Sequence, residues 1–419
     1  MQNSYTYWRA SHPLVFITLH FLLGIFIASA IPQPGFSGTI LFSISIIFLE
    51  LTIMILLLNS RRSFFSKGVY LSFCLISWGL LIQWNAFASY PTIMPKVIHT
   101  FIDYSRNGLI NKINKTIISK EANGFALALL IGVKVDMKKA LVNAYTQLGI
   151  IHIIAISGMH LDILFKTLSK LAALLPPKKG LKIVEIIVLL LLVWTYTFMA
   201  GAGHSIIRAS VFFSIYLLGK HFELSNFTLN AIAGGLLLLI LVNAKSLENI
   251  GLQLSYAAVI GIHLFYKILY KAIDLDNPII QFLWSNCCVS LAAQLTTFPI
   301  LVIHFHQVAA WVLVSNFILV PLSNFILYGL AILLVLPMQL ALLMGRLVEN
   351  YILFFNQLVQ SWFLNTKAGT LQVSMNWFQV FLYYLILLFA YLWIYQKKSS
   401  YLFVIMGLIT GYICLKLFS

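Results

Sequence analysis

Apolar runs long enough to cross a bilayer, about 20 residues each, recur along nearly the whole chain. They fall at 13–31, 39–58, 69–89, 183–200, 204–219, 228–243, 251–270, 281–303, 376–395 and 401–418, and another pair is expected between 309 and 345, hinged near Pro321. The pattern predicts an all-α polytopic integral membrane protein with about 10–13 transmembrane helices, some broken, plus amphipathic interfacial helices. Four regions follow: N-terminal transmembrane helices over 1–90, an amphipathic interfacial segment over 91–123, a core with a polar path over 124–345, and a C-terminal amphipathic helix with further transmembrane helices over 346–419.

Two stretches have a helical period that is only half apolar. Ile98, Phe101, Ile102, Leu109, Ile113 and Ile117 share one face, with Arg106, Asn111, Lys112 and Lys115 on the other. That is the pattern of a helix lying in the interface, its basic face toward lipid headgroups or a polyanion. Short helices are expected over 122–145. Over 348–363, Val348, Ile352, Phe355, Val359 and Trp362 oppose Asn356, Gln357 and Gln360.

Composition excludes a soluble domain. Of 419 residues, 61% are hydrophobic and 9% charged, against about 25% charged in soluble domains. Much of the net charge of +16 sits in short loops: Arg61, Arg62 and Lys67; the PPKKGLK loop at 176–182; and Lys397 with Lys398. Such basic loops mark the cytoplasmic side, which places the N-terminus in the cytoplasm and the C-terminus outside. Ala28-Ser29-Ala30 resembles a cleavage site, but the weak basic region before it and the spans after it favour an uncleaved first span. The four cysteines lie in or near apolar runs and read as small core residues.

Candidate chemistry concentrates where polar residues interrupt apolar runs, because such residues at membrane depth are costly and usually face a bundle interior or an aqueous path. The stretch QLGIIHIIAISGMHLDIL (147–164) carries His152, Ser157, Gly158, His160 and Asp162, and Gly158 invites a broken helix. Arg208 follows His204 by one helical turn. Gln253, Tyr256 and His263 share a face with Ser255 turned away, and Ser290, Gln294 and Thr297 share another before Pro299 ends or kinks the helix. His304, His306 and Asn316 follow, then Asn324 beyond Pro321. Several polar faces point to a hydrated passage. No HExxH or paired CxxC motif occurs, and His304 and His306 lie on opposite sides of a strand or far apart on a helix, so neither a metal nor a cofactor is expected.

These blocks resemble the ComEC family of competence DNA-uptake membrane proteins. GIIHIIAISGMHLDIL (149–164) is similar to the family's Gly-x-x-His-x-x-Ala-x-Ser-Gly-x-His signature, with His152, Ala155, Ser157, Gly158 and His160 in register. ALALLIGVKVDM (126–137) resembles the Leu-rich segment before it, SIIRAS (205–210) the Arg-Ala helix, LENIGLQLSYAAVIGI (247–262) the Gly-x-Gln-Leu-Ser-x-x-Ala block, and 292–322 the block with Gln-x-x-x-x-Pro and Ser-Asn-x-x-x-x-Pro. Asp162 departs from the pattern, standing where an apolar residue is expected. Many family members also carry an oligonucleotide-binding-like domain and a metallo-β-lactamase-like domain; no HxHxDH motif occurs here, and 90–123 leaves no room for the first.

The resemblance implies a channel, not an enzyme, that moves single-stranded DNA through the cell inner membrane. Its implied partners are that strand, membrane lipid, a competence DNA receptor, a cytoplasmic DNA-translocating ATPase and a separate nuclease. His152, Ser157, Gly158, His160, Asp162, His204, Arg208, Gln253, Ser255, Gln294, Pro299, His304, His306 and Asn316 would shape or line the path. Two alternatives come from other classes. A small-molecule secondary transporter fits the same polar pattern. A rhomboid-like intramembrane serine protease would use Ser157 as nucleophile and His204 as base, but leaves the polar blocks from 250 to 322 idle.

Overall fold

The computed structural model describes residues 12–30, 50, 64–85, 96–133, 137–154, 158, 160, 161, 163, 165, 182–221, 227–366 and 369–418. In chain order the helices are α1 (Pro13–Ala30), α2 (Phe64–Asn85), α3 (Lys96–Thr116), α4 (Lys120–Ile131), α5 (Lys139–Gln147), α6 (Ile151–Ile154), α7 (Lys182–Met199), α8 (His204–His221) and α9 (Phe227–Val242). A 3₁₀ turn (Ala244–Glu248) leads to α10 (Ile250–Tyr270) and α11 (Pro278–Phe305). Then come β1 (Gln307–Ala309), α12 (Val312–Val335), α13 (Met338–Thr366), β2 (Thr370–Gln372), α14 (Trp377–Gln396) and α15 (Ser399–Phe418). Among the described residues, α1 and α10 to α14 are the six helices long and apolar enough to cross a membrane, and five shorter apolar helices accompany them. The chain is a helical membrane protein.

The helices form two compact units. In the first (Met1–His99, Pro177–Trp194, Ile207–Leu252), α1 and α2 cross through Gly24 and Gly79. A Cβ at Gly24 would overlap the Ile76 carbonyl, and one at Gly79 the Phe21 carbonyl. Only glycine permits so close an approach of two backbones. Thr18 donates its hydroxyl to the Ala233 carbonyl at 3.0 Å, and Asn230 Oδ1 accepts from the Leu14 amide at 3.2 Å, which joins α1 to α9.

The second unit (Thr100–Pro176, Thr195–Ile206, Gln253–Ser419) is built around α4. Ala122 and every residue from Gly124 to Ile131 are buried, the mark of a helix enclosed on all sides. Around it pack Ile113 and Ile117 of α3, Leu141 and Tyr145 of α5, Leu319 and Leu330 of α12, and Val348, Ile352, Phe355 and Val359 of α13. The rings of Phe125, Tyr145 and Phe355 meet pairwise at centroid distances of 5.8, 6.3 and 6.3 Å.

Charges complete the helix ends of this core. Lys112, assigned by periodicity to a face toward headgroups or a polyanion, instead donates to the carbonyls of Leu334 and Leu336, each at 2.7 Å. A cation there complements the C-terminal dipole of α12. Glu349 accepts from the amides of Ile118 (3.0 Å) and Ser119 (2.8 Å), just ahead of α4. Asn356 also departs from its expected polar face: it is fully buried beside Phe355. It accepts the Tyr145 hydroxyl at 2.9 Å and donates to Glu121 at 3.3 Å, so α5 and α4 supply partners that periodicity along α13 cannot reveal.

Neither internal proline ends its helix. α11 runs through Pro299 and α12 through Pro321, as one helix in place of the hinged arrangement expected there. Proline at 299 removes the amide that would bond the Leu295 carbonyl. Tyr383 of α14 donates its hydroxyl to that carbonyl at 3.0 Å, and Tyr384 donates to the Thr296 carbonyl at 2.7 Å. β1 and β2 pair antiparallel, Gln307 with Gln372 and Ala309 with Thr370, as a short ribbon in an otherwise helical fold.

Candidate functional site

The signature stretch starts from a helix C-cap. α5 ends at Leu148, where the Gly149 amide donates to the Thr146 carbonyl (3.0 Å) and the Ile150 amide to the Tyr145 carbonyl (2.9 Å). This paired 5→2 and 6→1 arrangement needs a left-handed residue between, and Gly149 has φ +75°. An added Cβ would come within 2.8 Å of Val312 Cγ2 and 3.0 Å of Ala309 Cβ. Gly149 therefore fixes both the turn and its seat against the start of α12. Beyond it α6 carries His152, whose side chain is exposed, while Gly158 is helical and half-buried and His160 helical and buried. Ser157 and Asp162 lie outside the described residues.

His204 opens α8, and Arg208 lies one turn further on, buried. A Cβ at Gly251 would lie 3.9 Å from Arg208 Nη1 and 3.0 Å from Asn249 Oδ1. The guanidinium thus sits beside the first turn of α10, at the start of the Gly-x-Gln-Leu-Ser block. Gln253 and Ser255 follow on α10, both half-buried.

The most developed polar contact joins α11 to α12. Ser290 Oγ accepts from Gln294 Nε2 and from Asn316 Nδ2, each at 3.2 Å. Gln294 and Asn316, far apart in sequence, are thus brought to one hydroxyl. The amide oxygens of Asn316 and Asn324 and the Ser315 hydroxyl oxygen are buried without a protein hydrogen-bond partner. One turn beyond Gln294, Thr297 returns its hydroxyl to its own helix at the Ala293 carbonyl (2.9 Å), and Pro299 is buried. Thr296 bonds the Ala257 carbonyl at 2.6 Å, beside Gly261, where a Cβ would overlap its hydroxyl.

His304 and His306 belong to the end of α11. Each Nδ1 is hydrogen-bonded to a carbonyl of its own helix, Ile300 (2.9 Å) and Val302 (3.1 Å). His306 caps the helix with φ +56°, and the His304 ring stands perpendicular to Trp377 at 6.5 Å. Among the described residues no three His, Cys, Asp or Glu side chains are grouped as a metal would require.

Sequence reasoning passed over three participants. Tyr383 and Tyr384, whose signal would have been two hydroxyls in an apolar run, support the proline segment of α11. Glu50, an acidic residue within the apolar run 39–58, is buried and accepts from Trp78 Nε1 at 3.1 Å.

A family model described as Competence protein matches residues 129–397. The chain is similar to "ComE operon protein 3" of Bacillus subtilis (strain 168), 29% identical over 236 residues, a match covering 56% of this chain and 29% of the relative. The chain thus spans less than a third of that relative's length. No solved structure matches the chain. The matched region takes in the signature stretch and the blocks at 205–210, 247–262 and 292–322, and the chain belongs to the Competence protein family, with a ComEC-type competence core.

Proposed function

We propose that the chain is an inner-membrane channel that passes single-stranded DNA into the cytoplasm during natural transformation. The family gives a role in competence and DNA uptake. The observation that carries the finer reading is the α11–α12 contact, where Asn316 and Asn324 hold buried amide oxygens without protein partners in a long apolar helix. A buried amide without a hydrogen bond is costly, and opening of the α11–α12 contact onto a hydrated passage satisfies it with water or with the transported chain. Gln294, Asn316 and Asn324 then line the passage, with Gln253 and Ser255 of α10 as further wall residues.

Arg208 offsets phosphate charge on the same reading, and His152, Ser157, Gly158, His160 and Asp162 shape the segment after the Gly149 turn. His204, Pro299, His304 and His306 complete the proposed path. A polyanion moving past such groups needs weak, repeated contacts. A competence DNA receptor, a DNA-translocating ATPase and a separate nuclease would act with it, and the N-terminus would lie in the cytoplasm.

The test is DNase-protected uptake of labelled linear DNA in a competent strain lacking its own core and complemented with this chain. Wild type is expected to restore uptake. The double variant Asn316→Leu/Asn324→Leu, at equal membrane level, should lower it at least about tenfold, the equivalent of about 1.4 kcal/mol. Full uptake by the double variant removes these residues from the path. No uptake by wild type, together with fluorophosphonate labelling of Ser157, replaces the channel with a hydrolase.

A further inference from the structure

The loop between α10 and α11 holds a pocket with no part in the path described above. Tyr270, Lys271, Ile273, Asp274, Leu275, Gln281 and Trp284 line a volume of about 310 Å³, at the small end for ligand sites. α10 and α11 are both long and apolar enough to span a membrane, so the loop joining them lies at a membrane surface. Aromatic side chains mark that level: Tyr266 and Tyr270 stack at 5.6 Å, and Trp284 Nε1 donates to the Tyr270 carbonyl at 3.3 Å. Rings with one polar edge settle at the headgroup region.

The pocket presents opposite charges that do not neutralise each other. Among the described residues the side chains of Lys271 and Asp274 make no ion pair or hydrogen bond, and both residues are exposed. A solitary anion would meet Asp274, and a solitary cation Lys271. A zwitterion with an ammonium a few bonds from a phosphate satisfies both, with the Gln281 amide as a second donor to the phosphate. Ile273, which lines the pocket, and Ile280, one turn before Trp284 on the same face of α11, are both exposed and offer an apolar surface for acyl chains.

We propose that this pocket binds the headgroup of an ethanolamine phospholipid, with the phosphate at Lys271 and the ammonium at Asp274. The choline headgroup carries no N–H donor and fits Asp274 less well, and glycerol headgroups place no cation there. The site tethers the α10–α11 hairpin to the bilayer surface and is independent of what the path carries.

Native mass spectrometry of the full chain in detergent tests this, with phosphatidylethanolamine and phosphatidylglycerol of identical acyl chains offered in equal amounts. Wild type is expected to retain the ethanolamine lipid about fivefold over the glycerol lipid. Asp274→Asn should abolish the preference, and Lys271→Gln should weaken retention of both. Both side chains are exposed and unbonded, so unchanged melting temperatures are expected and exclude misfolding. Equal retention of the two lipids by wild type, or an unchanged preference in Asp274→Asn, overturns the proposal. Free phosphoethanolamine is the separating arm: competition at the same concentration as the lipid makes the ligand a soluble zwitterion and overturns the lipid assignment, while no competition supports it.

Discussion

Two asparagines stand in the same unit under opposite conditions. Asn356 on α13 uses both ends of its amide: its oxygen takes the Tyr145 hydroxyl and its nitrogen reaches Glu121. Glu121 in turn meets Lys138 at 2.9 Å, an exposed pair that contributes little by itself. Asn316 on α12 gives its nitrogen to Ser290 and leaves its oxygen buried and unbonded. The first arrangement is closed and rigid. The second keeps an acceptor for something the protein does not supply. The same side chain thus serves as a fastener in one place and, on the proposed reading, as part of a wetted wall in the other, and the difference lies in whether its neighbours complete it.

The largest expected effect comes from the turn that precedes both. Gly149→Ala forces an L side chain into the left-handed region and against Val312, a loss of about 2–4 kcal/mol, read as a lower unfolding midpoint in detergent and a reduced membrane level. An unchanged midpoint would show that the turn relaxes freely. Next is Asn356→Leu, which strands the Tyr145 hydroxyl and should cost about 1–3 kcal/mol. Adding Tyr145→Phe should recover most of that loss, since removing both partners leaves nothing unpaired; additive losses would mean that the bond is incidental.

Tyr383→Phe uncovers the carbonyl opposite Pro299 and should lower stability by about 1 kcal/mol, in a variant whose α11 amides near 295 exchange faster with deuterium. Smallest for stability is Asn316→Leu, within about 0.5 kcal/mol, because it removes an amide that is only half bonded. If Asn316→Leu unfolds the protein as readily as Asn356→Leu, the two asparagines do the same job and the contrast collapses.

Much of this was legible from residue order. The apolar runs among the described residues gave the helices, with the run expected over 39–58 outside them apart from Glu50; the Val348, Ile352, Phe355, Val359 stripe gave the buried face of α13, and the Ser290–Gln294 spacing gave a real hydrogen bond one turn long. Local periodicity failed wherever a distant group decided the outcome. Pro299 looked like a helix end or kink because its helix alone cannot satisfy Leu295; the helix continues, and a tyrosine 88 residues away supplies the bond. Lys112 looked like a headgroup contact because nothing near it in sequence reveals the open carbonyls at the end of α12. Gly149 was visible as a motif letter, but its reason, a left-handed cap seated on Val312, is tertiary. Ser157 and Asp162 fall outside the described residues, so the catalytic alternative rests on sequence alone.

The ribbon of β1 and β2 imposes a parity rule on the topology. Because Gln307 is paired with Gln372, the chain leaves and re-enters at one clasp, and both strands share one face of the bilayer. Whatever lies between must therefore traverse the membrane an even number of times. α12 and α13, the two helices in that interval long and apolar enough to cross, meet the rule as a down-and-back excursion. An insertion that added or removed a single crossing there would have to unclasp the ribbon.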